Sequence, residues 1–216
     1  MDRLGIDKAV VFPFNDVDQG PTFCDANTRV AGYVKEHPDR VIGFARLDPH
    51  FGDQALEELE RSLSLGLKGV KLHPAGQNFS PDHPTVLKII QKAAGHGVPV
   101  VFDNGKPISP NDAIGRLAGE VPEATIILAH MRGEGFIEAA EEHGNIYLGT
   151  VKALDLDVIE DAISRVGPER ILAGSDYPYA PMEYEMVEKW DEMGLSGRER
   201  EMITGGNMAG LLNLRP

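Results

Sequence analysis

The stretch Ile171-Leu-Ala-Gly-Ser-Asp-Tyr-Pro178 decides how this chain folds. A short apolar run with strand character stops at Gly174-Ser175 and presents Asp176 where the strand ends; Pro178 then breaks regular structure. In a barrel or an open α/β sheet, ligands sit at the carboxyl ends of the strands, so Asp176 falls at the mouth of a site. Three further runs end in comparable chemistry. These are Thr125-Ile-Ile-Leu-Ala-His130, Val98-Pro-Val-Val-Phe-Asp103 and Gly69-Val-Lys71-Leu-His73-Pro74. Polar groups that converge from several strand ends read as an active site.

Working outward, strand and helix patterns alternate along the chain. Strands are expected at Lys8–Phe14, Val41–Leu47, Gly69–Leu72, Val98–Phe102, Thr125–Ala129, Ile146–Gly149 and Ile171–Ala173, each followed by a helical stretch. The strands are continuous apolar runs, as expected when both faces of a parallel sheet are buried. Gly66, Gly97, Gly144 and Gly167 precede strands, where a helix C-terminus turns. Asp157 and Pro110 mark helix starts, for capping and the first turn respectively. The fold class is α/β: a TIM-barrel-like barrel of parallel strands, seven in number, in one domain spanning residues 1–216.

Composition narrows the partners. A formal net charge of −13 disfavours nucleic acid, which needs clustered Lys and Arg. Acidic runs such as Glu57-Glu58-Leu59-Glu60 read as solvated helix faces. No apolar run reaches the roughly 20 residues of a membrane span, and nothing resembles a secretory leader, so a cytoplasmic setting is expected. The single cysteine, Cys24, rules out an internal disulfide framework and reads as a helix-buried small hydrophobe.

Six motifs, in order, resemble the amidohydrolase superfamily. The branch is the one containing aminocarboxymuconate-semialdehyde decarboxylase, resorcylate decarboxylases and related metal-dependent hydrolases. They are Met1-Asp-Arg-Leu-Gly-Ile-Asp-Lys-Ala-Val-Val11, His37-Pro-Asp-Arg-Val-Ile-Gly-Phe-Ala-Arg-Leu-Asp-Pro49, Gly69 to Pro74, Leu128-Ala-His-Met131, Gly167 to Pro178, and Gly206-Asn207 to Leu214. The resemblance implies an eight-stranded barrel with one divalent metal, zinc foremost. Its ligands would be a His-x-His on strand 1, a His on strand 5 and an Asp on strand 8, with a strand-6 His assisting proton transfer. By position Asp176 matches the strand-8 aspartate and His130 the strand-6 histidine. Asp103 stands where the strand-5 histidine is expected. The strand with His-x-His is absent, so the sequence opens where the family's first helix is ending.

The resulting assignment takes Asp176 and His130 as catalytic. Asp176, Asp103 and His73 are the metal ligands that remain, a set expected to hold zinc weakly or not at all. Lys71, on the same side of its strand as His73, would pair with Asp103 or Asp176 or bind an anionic substrate. Arg46 would grip a substrate carboxylate or pair with Asp48. Arg132, where the family commonly has glycine, would narrow the pocket. Asp103 itself would act as a ligand or accept hydrogen bonds from backbone amides around an Asn104-Gly105 turn. His37, His50, His83, His96 and His143 read as surface residues. The implied reaction is metal-dependent hydrolysis of a small amide, ester or lactone. A decarboxylase or other carbon–carbon lyase of the same fold and a metal-free, inactive remnant are the alternatives. With the strand missing, exposed edges predict a homodimer or larger homo-oligomer, or collapse of the two edges onto one another.

Overall fold

In the computed structural model, which describes residues 1–14 and 19–214, every strand pairing is parallel and joins neighbours in the chain. The strands are β1 (Ala9–Val11), β2 (Val41–Gly43), β3 (Ala45–Arg46), β4 (Val70–Leu72), β5 (Val100–Phe102), β6 (Ile126–Leu128), β7 (Ile146–Gly149) and β8 (Ile171–Leu172). The expected strand Val41–Leu47 is split into β2 and β3 because it changes partners at Phe44. The Phe44 N–H donates to the Val11 carbonyl at 2.8 Å, and the next residue, Ala45, donates to Gly69 at 2.8 Å. A pair β1-β2 thus continues into the run β3-β4-β5-β6-β7-β8, and the seven expected strand paths are present.

The helices follow the strands as their apolar spacing dictates. They are α1 (Cys24–Glu36), α2 (Asp53–Ser64), α3 (Pro74–Gln77), α4 (Pro84–Gly95), α5 (Asn111–Glu120), α6 (Phe136–Glu142), α7 (Leu156–Val166), α8 (Lys189–Glu192), α9 (Gly197–Glu201) and α10 (Asn207–Leu211). On α4, Val86, Ile89, Ile90 and Ala93 recur at helical spacing and are buried against Val70, Val100 and Phe102 of the sheet. The α7 cap is Asp155, whose side chain accepts from the Asp157 N–H; Asp157 lies in the first turn. Cys24 opens α1 half-exposed, not buried. Among the described residues no helix is long and apolar enough to cross a membrane.

Alternate strand residues face the barrel interior. Ile42, Phe44, Val101, Ile127, Ala129 and Leu172 form one interior cluster, joined by Leu212 from the end of the chain. β1 and β8 do not pair with each other. The outer edge of β8 is covered from within: Ala173 N–H donates to the Ile203 carbonyl at 3.0 Å, and Asn207 Nδ2 donates to the Ile171 carbonyl at 2.8 Å. Met208 and Leu211 of α10 then pack against the interior cluster. The two edges therefore do not collapse onto one another, and the C-terminal segment takes over the cover of β8.

Candidate active site

At the carboxyl ends of the strands a cavity of about 210 Å³ is bounded by residues of β3 and β4 and by the segments that follow β1, β4, β5, β6, β7 and β8. All six residues singled out from sequence other than Asp176 itself (Arg46, Lys71, His73, Asp103, His130, Arg132) line it, and Asp176 lines it too. Five more line it that sequence reasoning passed over: Phe12, Phe14, Lys106, Lys152 and Tyr179.

Asp103 is the hub. Its Oδ1 accepts from Arg132 Nη2 at 2.8 Å and lies 2.9 Å from Lys106 Nζ; its Oδ2 lies 3.2 Å from His130 Nε2 and 3.4 Å from His73 Nε2. The expected backbone-amide partners for this carboxylate are replaced by side chains. Burial works to raise its pKa, yet hydrogen bonds from His130 and Lys106 and the nearby His73 and Lys71 together hold it well below the usual carboxylate range.

The two histidines divide by their hydrogen bonds. His73 Nδ1 accepts from the Gly76 N–H at 2.7 Å, so its ring proton sits on Nε2, toward Asp103. Burial pushes its pKa down to about 4, so it is neutral at pH 7. His130 differs: Nδ1 faces the Val151 carbonyl at 3.0 Å and Nε2 faces Asp103, so both nitrogens meet acceptors. Whichever nitrogen carries the proton therefore has an acceptor in front of it, which fixes the ring between the Val151 carbonyl and Asp103.

The loops around these side chains are held by buried amides. Asn104 Oδ1 accepts from the His130 N–H at 2.9 Å, and its Nδ2 donates to the His130 carbonyl and to Asn111 Oδ1. Asn111 Nδ2 in turn donates to the carbonyls of Arg132 and Glu134. Gly105 is required for this approach: its φ is +73°, and an added Cβ would stand 2.2 Å from the Arg132 carbonyl oxygen. Arg132, which also donates to the Asn104 carbonyl through Nε, thereby leans onto Asp103 and narrows the pocket.

Asp176 lies opposite, with a left-handed backbone (φ 54°), and its Oδ2 pairs with Lys152 Nζ at 2.7 Å. Lys152 is also left-handed (φ 56°), and its N–H donates to the buried Glu185 carboxylate at 3.3 Å. Lys189, itself fully buried, pairs with Glu185 at 2.5 Å and donates to the Thr150 carbonyl at 3.1 Å. A buried ion pair thus fixes the loop that delivers Lys152.

Lys71 and Arg46 sit side by side, their Cα atoms in register across β3 and β4. Lys71 does not pair with Asp103 or Asp176; its ammonium lies 5.3 Å from the Phe12 ring centre, and burial pushes its pKa down to about 8. Arg46 does not pair with Asp48, which bonds His50 instead. Its Nη1 donates to the Pro13 carbonyl, its Nε to Gln77, and its guanidinium lies 4.9 Å from the Phe23 ring centre. Burial pushes its pKa down to about 10. Of the other histidines, His83 caps α4 and His96 pairs with Glu60.

The donor set does not fit a divalent cation. Among the described residues no group of three or more His, Cys, Asp or Glu is placed to hold a metal: His73 lies beside Asp103, and Asp176 stands apart with Lys152. Both Asp103 oxygens already meet cationic or N–H partners, and Asp176 meets Lys152.

A family profile described as Amidohydrolase matches residues 1–214, and the chain belongs to that family. Among solved structures it is similar to 5-carboxyvanillate decarboxylase from Sphingomonas paucimobilis (TM-score 0.84, 20% identity), covering 100% of this chain and 81% of that one. It is also similar to 2,6-dihydroxybenzoate decarboxylase from Rhizobium (TM-score 0.78, 22% identity, 99% and 86% coverage). A dihydroxybenzoic acid decarboxylase from Polaromonas sp. JS666, with bound manganese and the inhibitor 2-nitroresorcinol, gives a TM-score of 0.78 at 22% identity, with 100% and 85% coverage. No curated protein sequence matches the chain. The barrel fold and the family are thereby established; members of the family's fold hold a divalent metal in some of these structures.

Proposed function

We propose that the protein is a carbon–carbon lyase that removes carbon dioxide from a small aromatic carboxylate. The observation that supports this above others is the pairing of two proton-bearing couples, Lys152–Asp176 and His130–Asp103, across one cavity rimmed by Phe12, Phe14 and Tyr179. The names of the similar structures, decarboxylases of hydroxylated benzoates, favour the same reaction type.

The chemistry needs a proton and an electrostatic cradle. The Lys152 ammonium passes a proton to the Asp176 carboxylate at 2.7 Å, and the resulting acid protonates the ring carbon that bears the reacting carboxylate. The bond from that carbon to the carboxylate then breaks, its electron pair returns to the ring, and carbon dioxide leaves. Solvent reprotonates Lys152. As the ring carbon takes its proton the ring becomes electron-poor and a ring hydroxyl more acidic; the His130–Asp103 couple holds that hydroxyl by a hydrogen bond and steadies the charge. Aromatic side chains at the rim stack on the ring and exclude water.

Hydrolysis of an amide, ester or lactone is the second reading, favoured by the family description. A panel of hydroxybenzoates and of lactones, amides and esters, assayed with and without added manganese or zinc, separates the two. Carbon dioxide release from a benzoate, abolished in Asp176→Asn, is the expected result. Turnover confined to the hydrolase substrates refutes the lyase reading, and no turnover on any member identifies a non-catalytic binding protein.

A further inference from the structure

Among the described residues, the cavity gathers five basic side chains, Arg46, Lys71, Lys106, Arg132 and Lys152, around two carboxylates, in a chain whose overall charge is −13. The two carboxylates are spoken for. Asp103 takes Arg132 and Lys106, and Asp176 takes Lys152. Arg46 and Lys71 are left over. They are 1% and 4% exposed, adjacent in register on β3 and β4, and cationic together.

Neither is satisfied within the protein. Arg46 spends Nη1 on the Pro13 carbonyl and Nε on Gln77, which leaves its buried Nη2 without a partner among the described residues. Lys71 has, among the described residues, no hydrogen bond and no ion pair, only the face of Phe12. Two adjoining buried cations repel one another, and although Asp103 attracts both through space, burial without a direct ion pair is costly. Such an arrangement persists where a ligand supplies the missing charge. One free guanidinium N–H edge beside one ammonium matches the two oxygens of a carboxylate, one oxygen to each.

We propose that Arg46 Nη2 and Lys71 Nζ together anchor a carboxylate of the substrate other than the one that faces Asp176, so that the substrate is a small aromatic dicarboxylate. The anchored group is retained through the reaction. Its place at the ends of β3 and β4, away from Lys152–Asp176, sets which ring carbon is presented to the proton. The lyase reading supplies only the identity of the reacting end; the anchor itself is a statement about binding.

Titration calorimetry with benzoate and isophthalate, which differ by one carboxylate, tests it on the intact protein. Isophthalate binds at least tenfold tighter than benzoate to the wild type. In Lys71→Met that preference falls to about one, and in Lys71→Arg it is kept. Arg46→Lys, which keeps the charge but removes the fork, lowers it several-fold. Equal affinities in the wild type, or a tenfold preference surviving in Lys71→Met, overturn the anchor. Carbon dioxide release is read on the same samples. Dicarboxylate binding with no release leaves the anchor standing and refutes the lyase reading; release from monocarboxylates without any dicarboxylate preference does the reverse.

Discussion

Replacing Lys71 by methionine should make the protein more stable at neutral pH. The ammonium is 4% exposed, and burial lowers its pKa from 10.5 to about 8. At about 1.4 kcal/mol per unit, holding it charged in the fold costs roughly 3 kcal/mol below pH 8. Methionine has similar length and no charge, and loses only the contact with the Phe12 ring, about 1 kcal/mol. The net gain is roughly 2 kcal/mol, or a Tm higher by roughly 4–8 °C for a chain of this size.

The gain carries a pH signature that packing alone cannot imitate. Below pH 8 the lysine is protonated in both the folded and the unfolded chain, so the cost is fully present. Between about 8 and 10.5 the unfolded chain keeps a proton that the fold has shed, and the wild type gains stability as pH rises. The advantage of Lys71→Met should therefore hold from pH 6 to just below 8, shrink above pH 8 by about 1.4 kcal/mol per unit, and be gone by about pH 9.5. Urea unfolding of both proteins across that range measures it. A variant less stable than the wild type at pH 7, or one whose advantage is the same at pH 7 and pH 10, would refute the reasoning. A natural sequence that retains a destabilising buried cation retains it for function.

Three further outcomes follow from the same geometry. Asp103→Asn strands Arg132 and Lys106, which are about one-third exposed and can turn to water, so the expected loss is roughly 2–3 kcal/mol. Because the folded carboxyl is held below its ordinary 3.8, its contribution is present above that value and is lost as pH falls below it. Wild type and Asp103→Asn should thus converge in acid unfolding curves, and curves that stay parallel below pH 3 contradict this. Glu185→Leu leaves Lys189 buried and unpaired, a cost of about 3–5 kcal/mol, and adding Lys189→Met should recover most of it in urea melts. The outer edge of β1 pairs with no strand among the described residues, so we propose self-association through it; light scattering that gives a monomer at all concentrations would remove that expectation.

The strands were readable because a parallel sheet buries both faces, which leaves continuous apolar runs such as Ile126–Leu128 with no competing pattern. Their polar ends were readable for the same reason: a histidine or aspartate that closes such a run has few places to go except the strand-end pocket. The break at Phe44 was not legible, since nothing local in Val41–Leu47 says that the strand changes partners there. Lys152 was equally hidden. Its position depends on a left-handed backbone held by Glu185, thirty-three residues away in the chain. Lys106 left a fainter signal, a lysine three residues beyond Asp103 across the turn at Gly105.

Two of the departures from the family pattern, those at Asp103 and Arg132, are one feature. Asp103 stands where the resemblance calls for histidine, and Arg132 where it commonly has glycine; in the fold they meet at 2.8 Å. Taken singly, an aspartate for a histidine weakens a metal site, and an arginine for a glycine crowds a pocket. Taken together, they place an ion pair at the centre of the strand ends, with Lys106 as a second cation on the same carboxylate. A carboxylate so engaged has little left to offer a metal ion, whose ligands must be free to turn inward. Asp103 still attracts Lys71 and Arg46 through space, but with Arg132 and Lys106 on its Oδ1 it forms no direct ion pair with either. The exchange at positions 103 and 132 therefore turns the pocket from one that invites a cation toward one that invites an anion. Restoring Asp103→His and Arg132→Gly together should shift its preference back, read as isophthalate affinity falling at least tenfold.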